Sequence, residues 1–172
     1  RQPVSDYKAQ KRGGKGVTGM KQRDEDFVEE MFISSSHDNV LFISNKGIMY
    51  KLKCFEIPEG SKQSRGTNAV NLLPLSEGEK IAAMIKTTDF DSGKNIIMVT
   101  KNGKIKRTPL DAYKNVRKNG LIAIGLDEGD EIAGVRMTDG NAQVMVATKN
   151  GYAIRIDENT IRKMSRSAHG VK

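Results

Sequence analysis

The sequence contains one cysteine, no tryptophan and few aromatic residues, and these shortages exclude several classes of protein. Because Cys54 has no second cysteine to pair with, an intrachain disulfide framework is excluded and a reducing compartment fits. No apolar run approaches the roughly 18 residues of a membrane span, and no signal-peptide pattern opens the chain. We therefore expect a cytoplasmic protein, independent of membranes, with a core of Ile, Val, Leu and Met.

Residues arranged for catalysis or metal binding are also lacking. The two histidines, His37 and His169, have no metal-ligand spacing to each other or to Cys54. The adjacent Ser36, His37 and Asp38 are the residue types of a catalytic triad, but a triad is defined by its geometry in space and not by adjacency in a loop. We expect no catalytic residue, no metal site and no cofactor in this chain.

Positive charge, in contrast, is in surplus. The 172 residues carry 29 Lys and Arg against 21 Asp and Glu, a formal net charge of +8. The length suffices for one domain with a real core, or for two small ones. A surplus of this size favours an acidic partner, with nucleic acid first and an anionic membrane second, while solubility alone is the alternative.

A β-hairpin pattern occurs three times, and helical periodicity is scarce. Apolar runs flank a central glycine in Asn45-Lys46-Gly47, Lys101-Asn102-Gly103 and Lys149-Asn150-Gly151. Asn and Gly between apolar strands are a strong hairpin signal, because both residue types tolerate positive φ. The sequence therefore predicts an all-β protein.

Two further apolar runs precede each hairpin, so one repeat unit is predicted to hold four short strands. These runs are residues 17–20 and 27–33, then 69–73 and 81–85, then 121–126 and 132–137. We take Gly14, Gly66, Gly120 and Gly170 as the openings of the units, at intervals of 50 to 54 residues. Four antiparallel strands per repeat are typical of the blades of a β-propeller or β-pinwheel.

The predicted organisation is a partial ring of blades. It consists of a leading strand or linker (1–9), blades at 10–65, 66–119 and 120–165, and the start of a fourth blade at 166–172. Propellers usually need about four to eight blades, so we expect the domain to continue beyond Lys172. The open blade edges of such a piece invite self-association.

Basic residues recur at matching places of the units. One set lies four residues after each hairpin glycine, and another precedes each unit opening: Lys51, Arg107 and Arg155 in the first set, and Lys11, Arg12, Arg65, Arg117, Lys118 and Arg166 in the second. Charges repeated once per blade predict a basic belt around the rim, which bends duplex DNA through phosphate contacts. The alternative is a set of surface salt bridges to the acidic connectors at 24–26, 77–79 and 127–131.

The richest basic stretch combines three cations with three glycines, and we call it the basic glycine segment: Gln10, Lys11, Arg12, Gly13, Gly14, Lys15 and Gly16. Glycine lets backbone amides approach a phosphate closely, while Lys and Arg supply charge and donors. No Ser or Thr follows the lysine, so the segment is not a nucleotide-binding P-loop. We expect it to contact DNA.

This segment resembles the seven-residue box of the C-terminal domain of DNA gyrase A, with Lys11 in place of the more usual Arg. Residues 69–75, 130–132 and 134–135 also look like that family. The resemblance implies a six-bladed pinwheel-like propeller that wraps DNA to support ATP-dependent negative supercoiling, with the box needed for wrapping. DNA cleavage and the use of ATP and magnesium then belong to other parts of a type II topoisomerase holoenzyme.

The same resemblance implies a set of partners and a location. The partners are double-stranded DNA, the rest of the DNA gyrase A polypeptide and the DNA gyrase B polypeptide, and the location is the bacterial cytoplasm, with the nucleoid. Two alternatives stay open. One is the C-terminal DNA-binding domain of topoisomerase IV, and the other is a propeller scaffold that binds proteins and uses its cations for solubility.

Overall fold

The protein is built of β-strands and short turns. The computed structural model describes residues 1–22 and 26–172, and in these the regular structure is nine strands and five 3-10 helices. Two residues of the first acidic connector, 24 and 25, lie outside the described residues. The predicted all-β class is confirmed.

The strands follow the chain in the order of their numbers. They are β1 Asn39–Ser44, β2 Ile48–Lys53, β3 Ile81–Thr87, β4 Asn95–Thr100, β5 Ile105–Pro109, β6 Leu121–Ile122, β7 Ile132–Thr138, β8 Gln143–Ala147 and β9 Ala153–Asp157. The 3-10 helices are Val4–Asp6, Cys54–Glu56, Ala69–Asn71, Leu110–Tyr113 and Glu158–Thr160.

All three predicted hairpins are present, and the same side chain closes each loop. In each loop the N–H of the glycine donates to the carbonyl of the residue three positions before it, at 3.0 to 3.1 Å. This residue ends the first strand of the hairpin or directly follows it. The hydroxyl of that residue accepts the N–H that follows the glycine at 3.2 Å. The residues that do this are Ser44, Thr100 and Thr148.

Only the glycine of each loop has positive φ. The φ angles are 74° at Gly47, 81° at Gly103 and 84° at Gly151, and no other residue type in the described chain has a positive φ. Asn102 and Asn150 therefore keep negative φ, although Asn tolerates positive values. The loops are of the longer kind, in which a tight turn precedes one left-handed glycine.

The sheets do not coincide with the repeat units of the sequence. The first sheet has the order β3-β1-β2-β6, the second β5-β4-β7 and the third β8-β9. The first sheet therefore joins the hairpin of unit 1 to β3 of unit 2 and β6 of unit 3. In the second sheet, β7 of unit 3 pairs with β4, and Val171 bridges to Ile105. The first two hairpins are thus completed by strands of later units, so these two sheets interlock with later units rather than being built, as predicted, from four consecutive strands of one unit.

Several predicted strands are also absent from the described residues. Runs 17–20 and 27–33 are not strands, Ala69–Asn71 is a 3-10 helix, and in 121–126 only Leu121–Ile122 is a strand. Run 27–33 occupies the place in unit 1 that β3 and β7 occupy in units 2 and 3. Those strands pair with the preceding hairpin, and the described chain has no hairpin before 27–33. Phe27 and Met31 are accordingly 75% and 79% exposed.

The core lies mainly between the first two sheets. Strand β1 is buried along its whole length, because its two faces pack into two different apolar clusters. Leu41 and Ile43 lie in the larger cluster with residues of the second sheet, whereas Val40 and Phe42 pack with Leu73 on the other face. Burial on both faces explains why β1 is continuously apolar and does not alternate.

Candidate nucleic-acid interface

A tight turn precedes or opens each repeat, and its second residue is always basic. The N–H of the fourth residue donates to the carbonyl of the first at 2.9 Å in turn 11–14, 3.0 Å in 61–64 and 117–120, and 3.3 Å in 165–168. The second residues of these turns are Arg12, Lys62, Lys118 and Arg166. Four units thus place one cation each at one structural position.

Sequence reasoning missed Lys62 and selected Arg65 instead. Lys62 lies 15 residues after Gly47, and the same interval separates Lys118 from Gly103 and Arg166 from Gly151. That interval was the available signal. Lys62 is half-buried, because its Nζ donates to the carbonyl of Asp6 and lies 5.0 Å from the centre of the Tyr7 ring. Arg65 and the other three turn cations are exposed.

The glycines near these turns require one correction. Gly16, Gly66, Gly120 and Gly170 have positive φ, at 73°, 74°, 87° and 85°, whereas Gly14 does not. Gly16, Gly66 and Gly170 each lie two residues beyond the end of their turns, so Gly16 and not Gly14 is the equivalent of Gly66 and Gly170. Gly120, in contrast, is the fourth residue of its own turn. Gly14 closes its turn, and a Cβ there would lie 3.0 Å from Oε1 of Gln10.

The basic glycine segment is exposed along its whole length. Gly13 is the third residue of its turn and has a φ of 85°, which is the feature that a type II turn demands at that place. No carboxylate of the described residues forms an ion pair with Lys11, Arg12 or Lys15. The segment can therefore offer backbone amides and three cationic side chains to an anion.

The three cations that follow the hairpins have different surroundings. Nζ of Lys51 donates to the carbonyl of Lys114 at 2.8 Å and lies 5.4 Å from the centre of the Phe90 ring. Burial, with a smaller contribution from the charge of Lys53, lowers the pKa of Lys51. Arg155, by contrast, is exposed on β9. Lys51 is thus partly engaged inside the protein, and Arg155 is open to solvent.

Arg107 is not on the rim, so this part of the predicted belt is wrong. Its side chain is 7% exposed, its Nη1 donates to Oδ1 of Asn159 at 2.8 Å, and Oε2 of the fully buried Glu158 lies 3.7 Å away. Because Glu158 and Asn159 belong to the next unit, Arg107 joins the second sheet to the third hairpin.

Glu158 is well satisfied in this internal contact. Oε2 accepts from the hydroxyl of Thr138 at 2.6 Å, and Oε1 accepts from the N–H of Ala142 at 2.8 Å. Burial by itself would raise the pKa of Glu158, but these hydrogen bonds and the charge of Arg107 outweigh it and lower the pKa. Glu158 is therefore ionised at neutral pH.

In the described residues, the second and third acidic connectors bind residues of the hairpins or His169 and form no ion pair with the turn cations. Glu131 binds Lys101 at 2.5 Å, and Asp127 binds Lys104 and, at 2.9 Å, His169. The carboxylate of Glu79 accepts from the Tyr50 hydroxyl at 2.9 Å. In the described chain the alternative of salt bridges between connectors and turn cations is therefore not observed, and Arg12, Lys118 and Arg166 keep their charge free.

A cavity of about 480 Å³ lies between turn 117–120 and turn 165–168, and we call it the inter-turn cavity. Its lining residues include two arginines, Arg117 and Arg166, which come from different units of the sequence. Asn115 and Asn119 add amide groups to the lining. Two Arg side chains and amide donors are suited to hold an anion such as a phosphate group.

Neither a cluster of metal-ligand side chains nor a membrane-spanning helix is found in residues 1–22 and 26–172. No group of three or more His, Cys, Asp or Glu side chains among them is placed to hold a metal ion. None of their helices is both long enough and apolar enough to cross a lipid bilayer.

Interlocked antiparallel sheets, with one basic turn for each repeat, define the chain as part of a β-propeller with a cationic turn surface. The family profile described as "DNA gyrase C-terminal domain, beta-propeller" matches residues 1–35, 38–88, 94–139 and 142–172. The chain belongs to this DNA gyrase C-terminal domain family, which confirms the resemblance of its motifs.

Individual relatives agree with the family. The DNA gyrase A polypeptide of Clostridium acetobutylicum is 49% identical over 96% of this chain, which is 20% of that protein. A solved DNA gyrase A C-terminal domain is 26% identical with a TM-score of 0.69, over 98% of this chain and 54% of that one. A solved C-terminal domain of DNA topoisomerase IV is 32% identical with a TM-score of 0.74, and the match covers 80% of this chain and 43% of that one. The chain thus spans about a fifth of its curated relatives.

Proposed function

We propose that this chain is the DNA-binding and DNA-wrapping module of a DNA gyrase A polypeptide. It bends duplex DNA around its basic turns and so supports ATP-dependent negative supercoiling. DNA cleavage and the binding of ATP and magnesium belong to other parts of the holoenzyme, and the chain itself needs no cofactor. Its partners are the rest of gyrase A, gyrase B and the duplex, in the cytoplasm and nucleoid of a bacterium.

One observation carries this proposal: equivalent turns of successive units each hold a cation at the same position, and Arg12, Lys118 and Arg166 have no acidic partner in the described chain. Cations at regular intervals suit the regular phosphates of a duplex, and they require no base contact. Bending a site of 20 to 30 base pairs costs about 1 to 6 kcal/mol, which several phosphate contacts can offset.

The proposed interface differs from the one predicted from sequence alone. It adds Lys62 and omits the buried Arg107, and Lys51 contributes less because it binds the carbonyl of Lys114. The other predicted residues stay in the proposal: Gln10, Lys11, Arg12, Gly13, Gly14, Lys15, Gly16, Arg65, Arg117, Lys118, Arg155 and Arg166.

Binding of linear duplex tests this interface. We expect the chain to bind duplex DNA with a steep salt dependence, and Lys118→Ala to make the slope of log K against log salt shallower by about 0.9. Fluorescence anisotropy at a series of salt concentrations measures both. Lys101→Ala is the matched control, because Lys101 is already paired with Glu131, and its slope should equal that of the unaltered chain.

The same experiment separates the alternatives. Failure to retain duplex at about 50 mM salt would overturn the proposal in favour of a protein-binding scaffold. A loss of slope in Lys101→Ala equal to that in Lys118→Ala would show that only net charge matters. The topoisomerase IV alternative, which is represented by a structural neighbour, predicts relaxation or decatenation by the holoenzyme and no wrapping-dependent supercoiling.

We also propose that the free outer edge of β8 associates with a second copy of the chain. In the described residues the third sheet has only two strands, and Met145 and Tyr152 are 70% and 77% exposed. Sedimentation should show a concentration-dependent mass that falls when Met145→Lys places a charge on the edge. Asp139→Lys adds charge in the preceding loop and should leave association unchanged; equal effects of both substitutions would refute the edge contact.

A further inference from the structure

A fully buried lysine lies beneath the fourth turn. The side chain of Lys106, on β5, is 0% exposed, and its Nζ donates to the carbonyl of Ala123 at 2.7 Å and to the carbonyl of Arg166. The hydroxyl of Tyr113 also donates to the Ala123 carbonyl, at 2.9 Å. The contact to Arg166 is made with its backbone, so its guanidinium stays free to act elsewhere.

The turn that Lys106 reaches is one of the basic turns. Arg166 is the second residue of turn 165–168, and the ends of this segment are held by backbone bonds. Gly125 donates to the carbonyl of Ala168 at 3.1 Å, and Met164 donates to that of Arg107 at 2.8 Å. Lys106 adds a bond at the residue that carries the exposed cation.

The fold does not require a charge at this place. Lys106 is the third residue after its hairpin glycine, and the equivalent residues of the other hairpins are Tyr50 and Ile154. Burial, with a smaller contribution from the charge of Arg166, lowers the pKa of Lys106 to about 8, so it is still an ammonium at neutral pH. No carboxylate in the described residues pairs with it, and a buried cation of this kind is costly.

We infer that Lys106 is a positioning residue: its ammonium fixes turn 165–168 so that Arg166 and Arg117 face the inter-turn cavity and together hold one phosphate group of the duplex. This inference rests on the proposed function. Two guanidinium groups on opposite turns can each donate to phosphate oxygens. Because Lys106 itself is fully buried, it cannot reach the phosphate and acts only through the backbone of Arg166.

The salt dependence of duplex binding tests this role. We expect Lys106→Met, which keeps a long side chain but removes the ammonium, to reduce the salt slope by about 0.9, although Lys106 touches no solvent. When salt is raised from about 50 to 200 mM, the factor by which affinity falls should therefore be about 3.5 times smaller in Lys106→Met than in the unaltered chain. The binding of each variant to linear duplex is measured at a temperature at which circular dichroism shows that the variant is folded.

A matched control separates positioning from general stability. Tyr50→Phe removes the hydroxyl that binds Glu79 at the equivalent place of the first hairpin, away from turn 165–168. It should lower stability but leave the salt slope unchanged. An unchanged slope in Lys106→Met, or an equal reduction in Tyr50→Phe, would overturn the positioning role.

A second set of variants tests the shared phosphate without altering Lys106. If Arg117 and Arg166 hold the same phosphate, the salt slope of duplex binding should fall by about 0.9 in Arg117→Ala and in Arg166→Ala. It should fall by the same amount, and no more, in the double variant. A loss of about 1.8 in the double variant would mean two separate phosphates and would overturn the inference. In that case binding that still depends on Lys11, Arg12 and Lys15 would leave the proposed function standing, whereas absence of any duplex binding would refute the proposed function itself.

Discussion

Replacing Lys11, Arg12 and Lys15 with alanine in the full-length polypeptide will abolish DNA supercoiling by the holoenzyme, while ATP-independent relaxation continues. The basic glycine segment is exposed and its three cations have no acidic partner in the described chain. In the proposed function these cations hold the duplex at this turn, so we expect their removal to release it there. Relaxation needs strand passage without wrapping and should persist. Gel assays on relaxed and supercoiled plasmid measure the two activities.

A control with the same loss of charge belongs beside this variant. Lys46, Lys101 and Lys104 lie in the hairpin loops, where they bind the Glu77 carbonyl or acidic connectors. Their replacement by alanine should leave supercoiling close to normal. Supercoiling at the normal rate in the first variant would contradict our assignment of the segment, and its loss in the control would show that total charge decides. Ligation of nicked circles bound to the full-length polypeptide reads wrapping and its handedness directly.

Replacing Arg107 with methionine will destabilise the protein by about 3 kcal/mol and leave the salt slope of duplex binding unchanged. Removing one partner of a buried ion pair leaves an uncompensated charge, which typically costs about 3 to 5 kcal/mol. Here Glu158 is fully buried and keeps its bonds from Thr138 and Ala142, so we expect the lower end of that range. Urea unfolding at neutral pH measures the free energy of unfolding.

Arg155 provides the matched comparison, because it occupies the equivalent position on β9 and is exposed. Arg155→Met should change the free energy of unfolding by less than about 0.5 kcal/mol and reduce the salt slope by about 0.9. Two arginines at one position of the repeat should therefore have opposite roles. Stability loss in Arg155→Met, or slope loss in Arg107→Met, would contradict the assignment.

Acid should weaken the contact between Glu158 and Arg107, because it protonates the Glu158 carboxylate. The pKa of Glu158 in the folded protein lies below its ordinary value of 4.5, so its stabilising contribution is complete above that pH and is lost as the pH falls through the folded value. Because Arg107 contributes to this lowering, Arg107→Met should also reduce the steepness with which stability falls in acid.

Much of the candidate site could be predicted from local sequence. The basic glycine segment is contiguous, and Lys118 and Arg166 recur at a fixed distance from the hairpin glycines. Lys62 lies at the same interval, but a repeat that is counted from Gly14 misses it, because Gly14 is not the structural equivalent of Gly66 and Gly170. The inter-turn cavity could not be predicted, because Arg117 and Arg166 are far apart in the sequence and line one cavity only after the units pack together.

The sequence by itself determined the hairpins and the basic turns, because these depend on residues a few positions apart. A Ser or Thr hydroxyl, a left-handed glycine and flanking apolar residues are sufficient to specify each loop. The tertiary structure alone decided which strand completes each sheet and which cation meets solvent. Backbone pairing accepts any strand of suitable length, so β3 and β7 join the hairpin before them, and the same packing buries Arg107 against the next unit while Arg155 remains exposed.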